Sequence, residues 1–131
     1  TRTFIVGEPE NRLARVCEAV LEARGEALKR IKPGISGSEA DGFARAILRE
    51  YGFDEAFPHG LGHGVGLEVH EPPRLAPASS DRLVEGMVFT VEPGVYLAGK
   101  FGVRVEDTVL LESGGVKPFT WRFRKELISM L

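Results

Sequence analysis

The chain has 131 residues, of which 43% are hydrophobic and 27% charged, and its formal net charge is -2. This length and composition predict one domain with a buried core and argue against disorder. The charge lacks the excess of Lys and Arg through which nucleic acids and anionic membranes are bound, so we expect neither as a partner.

The cysteine count and the hydropathy pattern favour a cytoplasmic protein. Cys17 has no second cysteine with which to form a disulfide, and no apolar run approaches the roughly 18 residues of a membrane span. The chain begins with Thr1 and shows neither an initiator Met nor a leader pattern. We therefore expect it to be part of a longer chain.

The first 35 residues or so predict a strand and a helix. Residues 3–6 combine β-branched and aromatic side chains and end at Gly7, which predicts a short strand. We expect it to be half of a hairpin whose partner strand is missing. Apolar residues then recur at helical spacing from Asn11 to about Ile31, and Pro33-Gly34 ends this helix.

A second helix and several strands follow. Ser36 and Glu39 form a capping box at the start of a helix that runs to about Tyr51, with Gly52 as its end. Strands are predicted at 65–69, 87–92 and 101–111, and residues 72–85 are predicted to form a loop. Two helices followed by an antiparallel sheet make an α+β fold.

The three histidines, His59, His63 and His70, lie within twelve residues of one glycine-rich segment. Glycines at every second position from 60 to 66 argue against a helix and permit close backbone approach. In an extended chain His59 and His63 share a face and His70 faces the other way, so a bend is needed to bring all three to one site. Ordinary hydrogen-bonded or exposed rings are the alternative.

Two predicted strands carry carboxylates that could act together with these histidines. Glu92 follows the run 87–91 at a strand end, where a rigid scaffold can present a side chain to a cleft; a solvated carboxylate is the alternative. Arg104 and Glu106 share one face of the next strand, either as an ion pair of little consequence or as a substrate-binding arginine beside a ligand.

One imidazole and several carboxylates form an oxygen-rich ligand set that suits Mn²⁺ or Co²⁺, with Zn²⁺ possible. His63, Glu92 and Glu106 are separated by 29 and 14 residues, so only the fold can bring them together.

Three motifs carry a resemblance to a known family. Residues 59–73, HGLGHGVGLEVHEPP, residues 86–96, GMVFTVEPGVY, and residues 102–107, GVRVED, are similar to the carboxy-terminal signature of the prolidase and Xaa-Pro aminopeptidase (M24) metallopeptidases. The resemblance covers essentially the whole chain. It implies the pita-bread catalytic fold, truncated at its amino-terminal side, with two helices packed on a curved antiparallel sheet.

The resemblance implies a site for two divalent metal ions. The family's ligands are two Asp, one His and two Glu, and this chain matches the last three with His63, Glu92 and Glu106. One ion is expected on the second Asp and these three residues, and the other on both Asp with Glu106 as the bridge. Both Asp lie outside the chain, so the site is expected to be incomplete and the isolated piece inactive.

The mechanism that the resemblance implies is attack on the scissile carbonyl by a metal-activated water. Glu92 is a candidate general base as well as a ligand. His59 or His70 is expected to contact the substrate and stabilise the tetrahedral intermediate or the leaving group. Arg104 is expected to bind a carboxylate or hold Glu106, and Tyr96 to form a hydrogen bond nearby.

The implied activity is hydrolysis of Xaa-Pro bonds, with proline at P1′, in dipeptides or at peptide amino termini. The expected partners are the substrate, the missing amino-terminal segment of the same protein and, for the intact enzyme, a second subunit of a homodimer. The alternatives are a non-catalytic peptide-binding module on the same fold, methionine aminopeptidase activity, and an α+β domain with incidental histidines.

Overall fold

A computed structural model describes residues 1–120 and the backbone of residues 128–130. Two helices are followed by a run of short strands, as the α+β prediction requires. The helices are α1 (Asn11–Arg30) and α2 (Gly37–Glu50), with a single 3-10 turn at Asp54–Ala56. The strands are β1 (Phe4–Val6), β2 (Gly62–Gly64), β3 (Glu71–Leu75), β4 (Val88–Val91), β5 (Gly94–Leu97), β6 (Phe101–Arg104), β7 (Asp107–Glu112), β8 (Gly115–Pro118) and β9 (Ile128–Met130).

Both predicted helices are present and end where their sequences indicate. The capping box of α2 is formed, because the Ser36 hydroxyl accepts from the Glu39 N–H at 3.2 Å and the Glu39 carboxylate accepts from the Ser36 N–H at 2.7 Å. The hydrogen bonds that the Glu39 carboxylate accepts from the Ser36 N–H and from the Ser36 hydroxyl lower the pKa of Glu39. Among the described residues, no helix is long and apolar enough to cross a membrane.

The main sheet has five antiparallel strands in the order β3-β2-β4-β7-β8, and β5 pairs with β6 in a separate two-stranded ribbon. Helix α1 packs against α2 and against strands of both sheets. The core between these layers is closed by large apolar side chains, including Phe57, Phe89, Ile31, Leu48, Leu61, Leu75, Leu83 and Leu111.

The first strand has a partner that the sequence analysis did not predict, whereas the missing hairpin strand stays a prediction. β1 pairs in parallel with β9, with Phe4 opposite Ile128 and Val6 opposite Met130. A parallel pair joins segments that are distant in the chain and carries no turn signal between them, so local sequence patterns do not reveal it.

The prediction of a strand at residues 65–69 is wrong. That stretch consists mostly of bends, and its apolar side chains Val65, Leu67 and Val69 are exposed. The strands lie on either side of it, at β2 and at β3, and β3 takes the first part of the loop predicted at 72–85. The run 101–111 is interrupted at Val105 and Glu106, and its two parts, β6 and β7, belong to different sheets.

Candidate metal and substrate site

Glycines allow β2 to lie between β3 and β4 with almost no space to spare. A Cβ atom on Gly62 would overlap the carbonyl oxygen of Thr90, and one on Gly64 would overlap that of Pro72. The register of β2 against β3 shifts between His63 and Gly64. This bulge is the bend that the alternation of the histidines requires.

His63 and Glu92 meet at the centre of the site. The His63 Nε2 atom lies 3.3 Å from Glu92 Oε1, which also accepts a hydrogen bond of 2.8 Å from the Thr90 hydroxyl. His63 Nδ1 lies 2.9 Å from the Gly64 carbonyl oxygen and donates to it, so in the neutral ring Nε2 is an acceptor. Two acceptors therefore face each other, an arrangement that a proton or a metal cation satisfies.

The other two histidines approach the same cleft from different sides. The rings of His70 and His63 meet edge to face, with centroids 4.5 Å apart. His59 Nδ1 donates to the Gly60 carbonyl oxygen at 2.8 Å, which leaves Nε2 to accept from the Tyr96 hydroxyl, also at 2.8 Å. The structure thus brings all three histidines together.

The cleft has a volume of about 380 Å³. Its wall carries imidazoles, guanidinium groups and a carboxylate among small residues: His59, Gly60, Gly62, His63, His70, Arg74, Ala76, Glu92 and Arg104. Arg74, opposite His63 in the register of β3 with β2, was not among the residues predicted from the sequence. The interpretation of Pro72-Pro73 as a loop hid the strand alternation that identifies it.

Arg104 lies near both carboxylates of the site, Glu92 and Glu106. Its Nε atom is 3.9 Å from Glu92 Oε2, is buried and has no hydrogen-bond partner. Burial alone would lower the pKa of Arg104, but Tyr96, Glu92 and Glu106 nearby raise it. The guanidinium therefore keeps its charge and lines the cleft with a side chain that is 40% exposed.

The Glu106 carboxylate is engaged by the start of the chain. It accepts a hydrogen bond from the Thr1 hydroxyl, to which Arg104 also donates at 3.2 Å. Burial would raise the pKa of Glu106, but Thr1 and Arg104 together lower it, so the group is anionic at neutral pH. The backbone pairing continues from the Glu106 N–H to the Thr1 carbonyl at 3.1 Å.

Two of the three predicted ligands are therefore close together, and the third is held separately. Within residues 1–120, no group of three His, Cys, Asp or Glu side chains is arranged to hold a metal ion. The donor chemistry nevertheless fits a divalent cation at His63 and Glu92, because a free imidazole Nε2 faces a carboxylate oxygen. The anionic state of Glu106 fits the same role.

The comparisons with known proteins identify a family. Residues 1–113 match metallopeptidase family M24. The chain is similar to an Xaa-Pro dipeptidase of Pyrococcus horikoshii, with 49% identity over 128 residues, which are 98% of this chain and 36% of that protein.

Solved structures give the same result. An Xaa-Pro dipeptidase from Bacillus anthracis superposes with a TM-score of 0.95 at 45% identity, over 98% of this chain and 36% of that one. An X-Pro aminopeptidase from Thermotoga maritima has a TM-score of 0.91 at 43% identity, over 97% of this chain and 36% of that one.

This chain spans about a third of the length of these relatives, 36% in each case. The superpositions confirm the α+β fold expected from the resemblance for the part that the chain covers. Because the family match extends over residues 1–113 of 131, the chain belongs to metallopeptidase family M24.

Proposed function

We propose that the chain is the carboxy-terminal part, one domain over residues 1–131, of an enzyme that hydrolyses Xaa-Pro bonds in dipeptides or at peptide amino termini. The observation that carries this proposal is the pair formed by His63 and Glu92, 3.3 Å apart, in a cleft that also presents Arg74 and Arg104. The family supports a metallopeptidase, and the names of the similar proteins support the preference for proline.

His63, Glu92 and Glu106 are the proposed metal ligands, for Mn²⁺ or Co²⁺ with Zn²⁺ as the other candidate. The Gly64 carbonyl fixes the tautomer of His63 that leaves Nε2 free for ligation. Two aspartates from outside these residues complete a site for two ions in the proposed intact enzyme. Bound divalent ions supply an acidified water and polarise the scissile carbonyl.

The cations of the cleft suit the carboxylate of a dipeptide. Arg104, whose side chain is 40% exposed, lines the cleft, and Arg74 adds a second guanidinium. Guanidinium groups bind carboxylates through charge-assisted hydrogen bonds, so these two residues are proposed to orient the proline end of the substrate. A longer peptide carries no carboxylate at this position.

The imidazoles act on the reacting groups in this proposal. His59 or His70 is proposed to contact the substrate and to stabilise the tetrahedral intermediate or the leaving group, and Glu92 is the candidate general base. Tyr96 holds the ring of His59 through the hydrogen bond of 2.8 Å.

The proposed homodimer and amino-terminal segment follow from the resemblance, and the proposed cytoplasmic setting follows from the cysteine count and the hydropathy pattern. The intact enzyme is a cytoplasmic homodimer in which an amino-terminal segment of the same protein completes the site. The 131 residues alone, without the two aspartates, are expected to be inactive.

The test is proline release from Xaa-Pro dipeptides by the complete encoded protein, with Mn²⁺ or Co²⁺ added. We expect hydrolysis, and a loss of more than about 100-fold in Glu92→Gln, since even residues that only orient metal ligands contribute about 10- to 100-fold. Glu112→Gln is the control, because this carboxylate pairs with Lys117 on the exposed surface.

Three outcomes would contradict the proposal. Glu92→Gln with full activity would remove the site from the chemistry. Cleavage of amino-terminal Met but not of Xaa-Pro bonds would indicate a methionine aminopeptidase. Binding of Xaa-Pro peptides without hydrolysis under any metal would indicate a non-catalytic binding module.

A further inference from the structure

Asp41 and Arg45 form an ion pair on α2 that is hydrogen-bonded to the backbone around His59. The Asp41 carboxylate accepts from Arg45 Nε at 2.6 Å and from the Leu61 N–H at 2.9 Å. Arg45 then donates to two carbonyl oxygens, that of Phe57 at 2.9 Å and that of His59 at 2.6 Å. Two side chains of a helix thus satisfy backbone groups at alternate residues 57, 59 and 61, as a neighbouring strand would.

The burial of this pair shows that it is part of the interior. Asp41 is 1% exposed and the Arg45 side chain 20% exposed. Burial raises the pKa of Asp41, although the hydrogen bonds and charge of Arg45 and the Leu61 N–H partly offset this effect. A buried carboxylate costs free energy unless its partners are well placed, and here one partner, the Leu61 N–H, belongs to the segment that carries the site.

Further contacts connect this ion pair to the ring of His59 and to the backbone of Glu92. The Arg45 guanidinium lies over the Phe57 ring, 4.4 Å from its centroid, and Phe57 meets the His59 ring edge to face at 4.8 Å. The Leu61 carbonyl accepts from the Glu92 N–H at 2.8 Å. A shift of the backbone at 57–61 would therefore move His59 and Glu92 relative to each other.

We propose that Asp41 and Arg45 are positioning residues that act through His59, fixing its carbonyl and ring direction from outside the cleft. This inference rests on the proposed function for its catalytic consequence. Neither residue lines the cleft, and their effect is on where the imidazole of His59 lies when substrate is bound.

The first test is a double-mutant cycle in the complete encoded protein. Arg45→Met should lower kcat for an Xaa-Pro dipeptide by about 100-fold, since a displacement on the order of 1 Å in an oriented group has such an effect. In a His59→Ala background the same change should lower kcat by less than about threefold, because the group on which Arg45 acts is gone. If the kcat losses of the two single variants multiply in the double variant, the proposal is overturned.

Matched variants separate positioning from general stability. Arg49→Met removes the arginine of another ion pair that begins on α2, with Asp54, whose side chains are 71% and 27% exposed; kcat should not change. Arg45→Lys should not rescue the activity, because one ammonium cannot reproduce the planar fork that bridges two carbonyls and a carboxylate. Full rescue would contradict the geometry. If Arg45→Met fails to fold, the pair Asp41→Asn with Arg45→Met removes both charges and takes its place in the cycle.

A second readout does not depend on peptidase activity. Hydrogen exchange of the Leu61 amide, followed by NMR, should be faster by about tenfold or more in Arg45→Met and unchanged in Arg49→Met, because hydrogen bonds to a charged group hold this segment closed. If the wild type hydrolyses no Xaa-Pro substrate, the proposed function fails. The exchange still tests whether Asp41 and Arg45 hold the backbone of residues 57–61 in place. Unchanged exchange would overturn the inference in either case.

Discussion

Asp41 and Asp107 are two buried carboxylates that support different parts of the same site. Asp41 has one arginine partner and holds the segment before His63. Asp107, which is fully buried, is paired with both Arg2 and Arg24 and also accepts from Thr120. Asp41 contacts its own helix and the segment that follows it closely in the chain. Asp107, on β7, connects that strand to α1 and to the first residues of the chain.

The different partners give opposite electrostatic consequences. Burial raises the pKa of both groups, and at Asp41 that effect prevails. At Asp107 the hydrogen bonds from Thr120 and Arg2 and the charge and hydrogen bonds of Arg24 prevail, and the pKa is lowered. Arg45 and the Leu61 N–H therefore do not fully offset the burial of Asp41, whereas Thr120, Arg2 and Arg24 together do so at Asp107.

Asp107 also has a direct structural link to Glu106. Arg2 pairs with Asp107 at 2.8 Å and donates to the Glu106 carbonyl at 2.6 Å and to the Thr1 carbonyl at 2.8 Å. The carboxylate is thereby tied to the position of a proposed ligand, so its loss should affect folding and site geometry together.

The largest expected effect follows the removal of the Asp107 charge. Asp107→Asn should lower the free energy of unfolding by about 3 to 5 kcal/mol, because it leaves buried guanidinium charge uncompensated. Denaturant titration measures this loss. Glu112→Gln, on the same strand but exposed and paired with Lys117, should change stability by less than about 0.5 kcal/mol. Equal effects of the two variants would contradict the difference in burial.

The site also depends on the close packing of β2 against β4, which a substitution at Gly62 tests. Gly62→Ala should destabilise the protein by about 3 kcal/mol, because the new Cβ overlaps the Thr90 carbonyl and pushes β2 away from β4. Gly25→Ala in α1, where nothing lies within 4 Å of the new Cβ, should stabilise it by about 0.5 to 1 kcal/mol. Thermal and denaturant unfolding report both signs, and a neutral Gly62→Ala would show that β2 is loosely packed.

The comparison predicts a smaller effect for Asp41 than for Asp107. Asp41→Asn should lower the free energy of unfolding by about 1 to 2 kcal/mol, since the amide oxygen can still accept from the Leu61 N–H and one arginine rather than two loses its partner. Denaturant unfolding of the two variants side by side measures the difference. If Asp41→Asn proved the more damaging change, the ranking by arginine partners would be wrong.

The smallest expected effect is the pH dependence of the Asp41→Asn loss. The pKa of Asp41 is raised in the folded state, so its contribution to stability is fully present below the unfolded pKa and is lost as pH rises through the folded value. The loss caused by Asp41→Asn should therefore be greatest near pH 3, below the usual Asp pKa of about 3.9, and smaller at pH 7. Unfolding free energies of both proteins at several pH values provide the check, and a loss that grew with pH would contradict the raised pKa.

Local chemistry made some of this fold predictable from the sequence. The capping box of Ser36 and Glu39 is a short-range pattern, and the structure confirms it. The exposed Leu67 misled the strand prediction, because alternating apolar residues normally mark a buried face. The pairing of β1 with β9 depends on distant segments.

The supports of the site were harder to predict than its central residues. Asp41 and Arg45 have the spacing of an ordinary surface pair on a helix, and only the fold shows that they are inside and bound to the segment 57–61. Arg24 likewise looks like a solvated position of α1 until β7 places Asp107 beside it. Motifs identify His63 and Glu92, whereas the residues that hold them depend on tertiary packing.

The most direct test of the proposed metal site is the metal content per chain of the complete encoded protein. Elemental analysis after equilibration with Mn²⁺ or Co²⁺ and removal of free ion should find bound metal in the wild type. Single variants His63→Ala and Glu92→Gln should lose it, and Glu112→Gln should retain it. An unchanged metal content in His63→Ala and Glu92→Gln, or no bound metal in the wild type, would contradict the assignment of these residues as ligands.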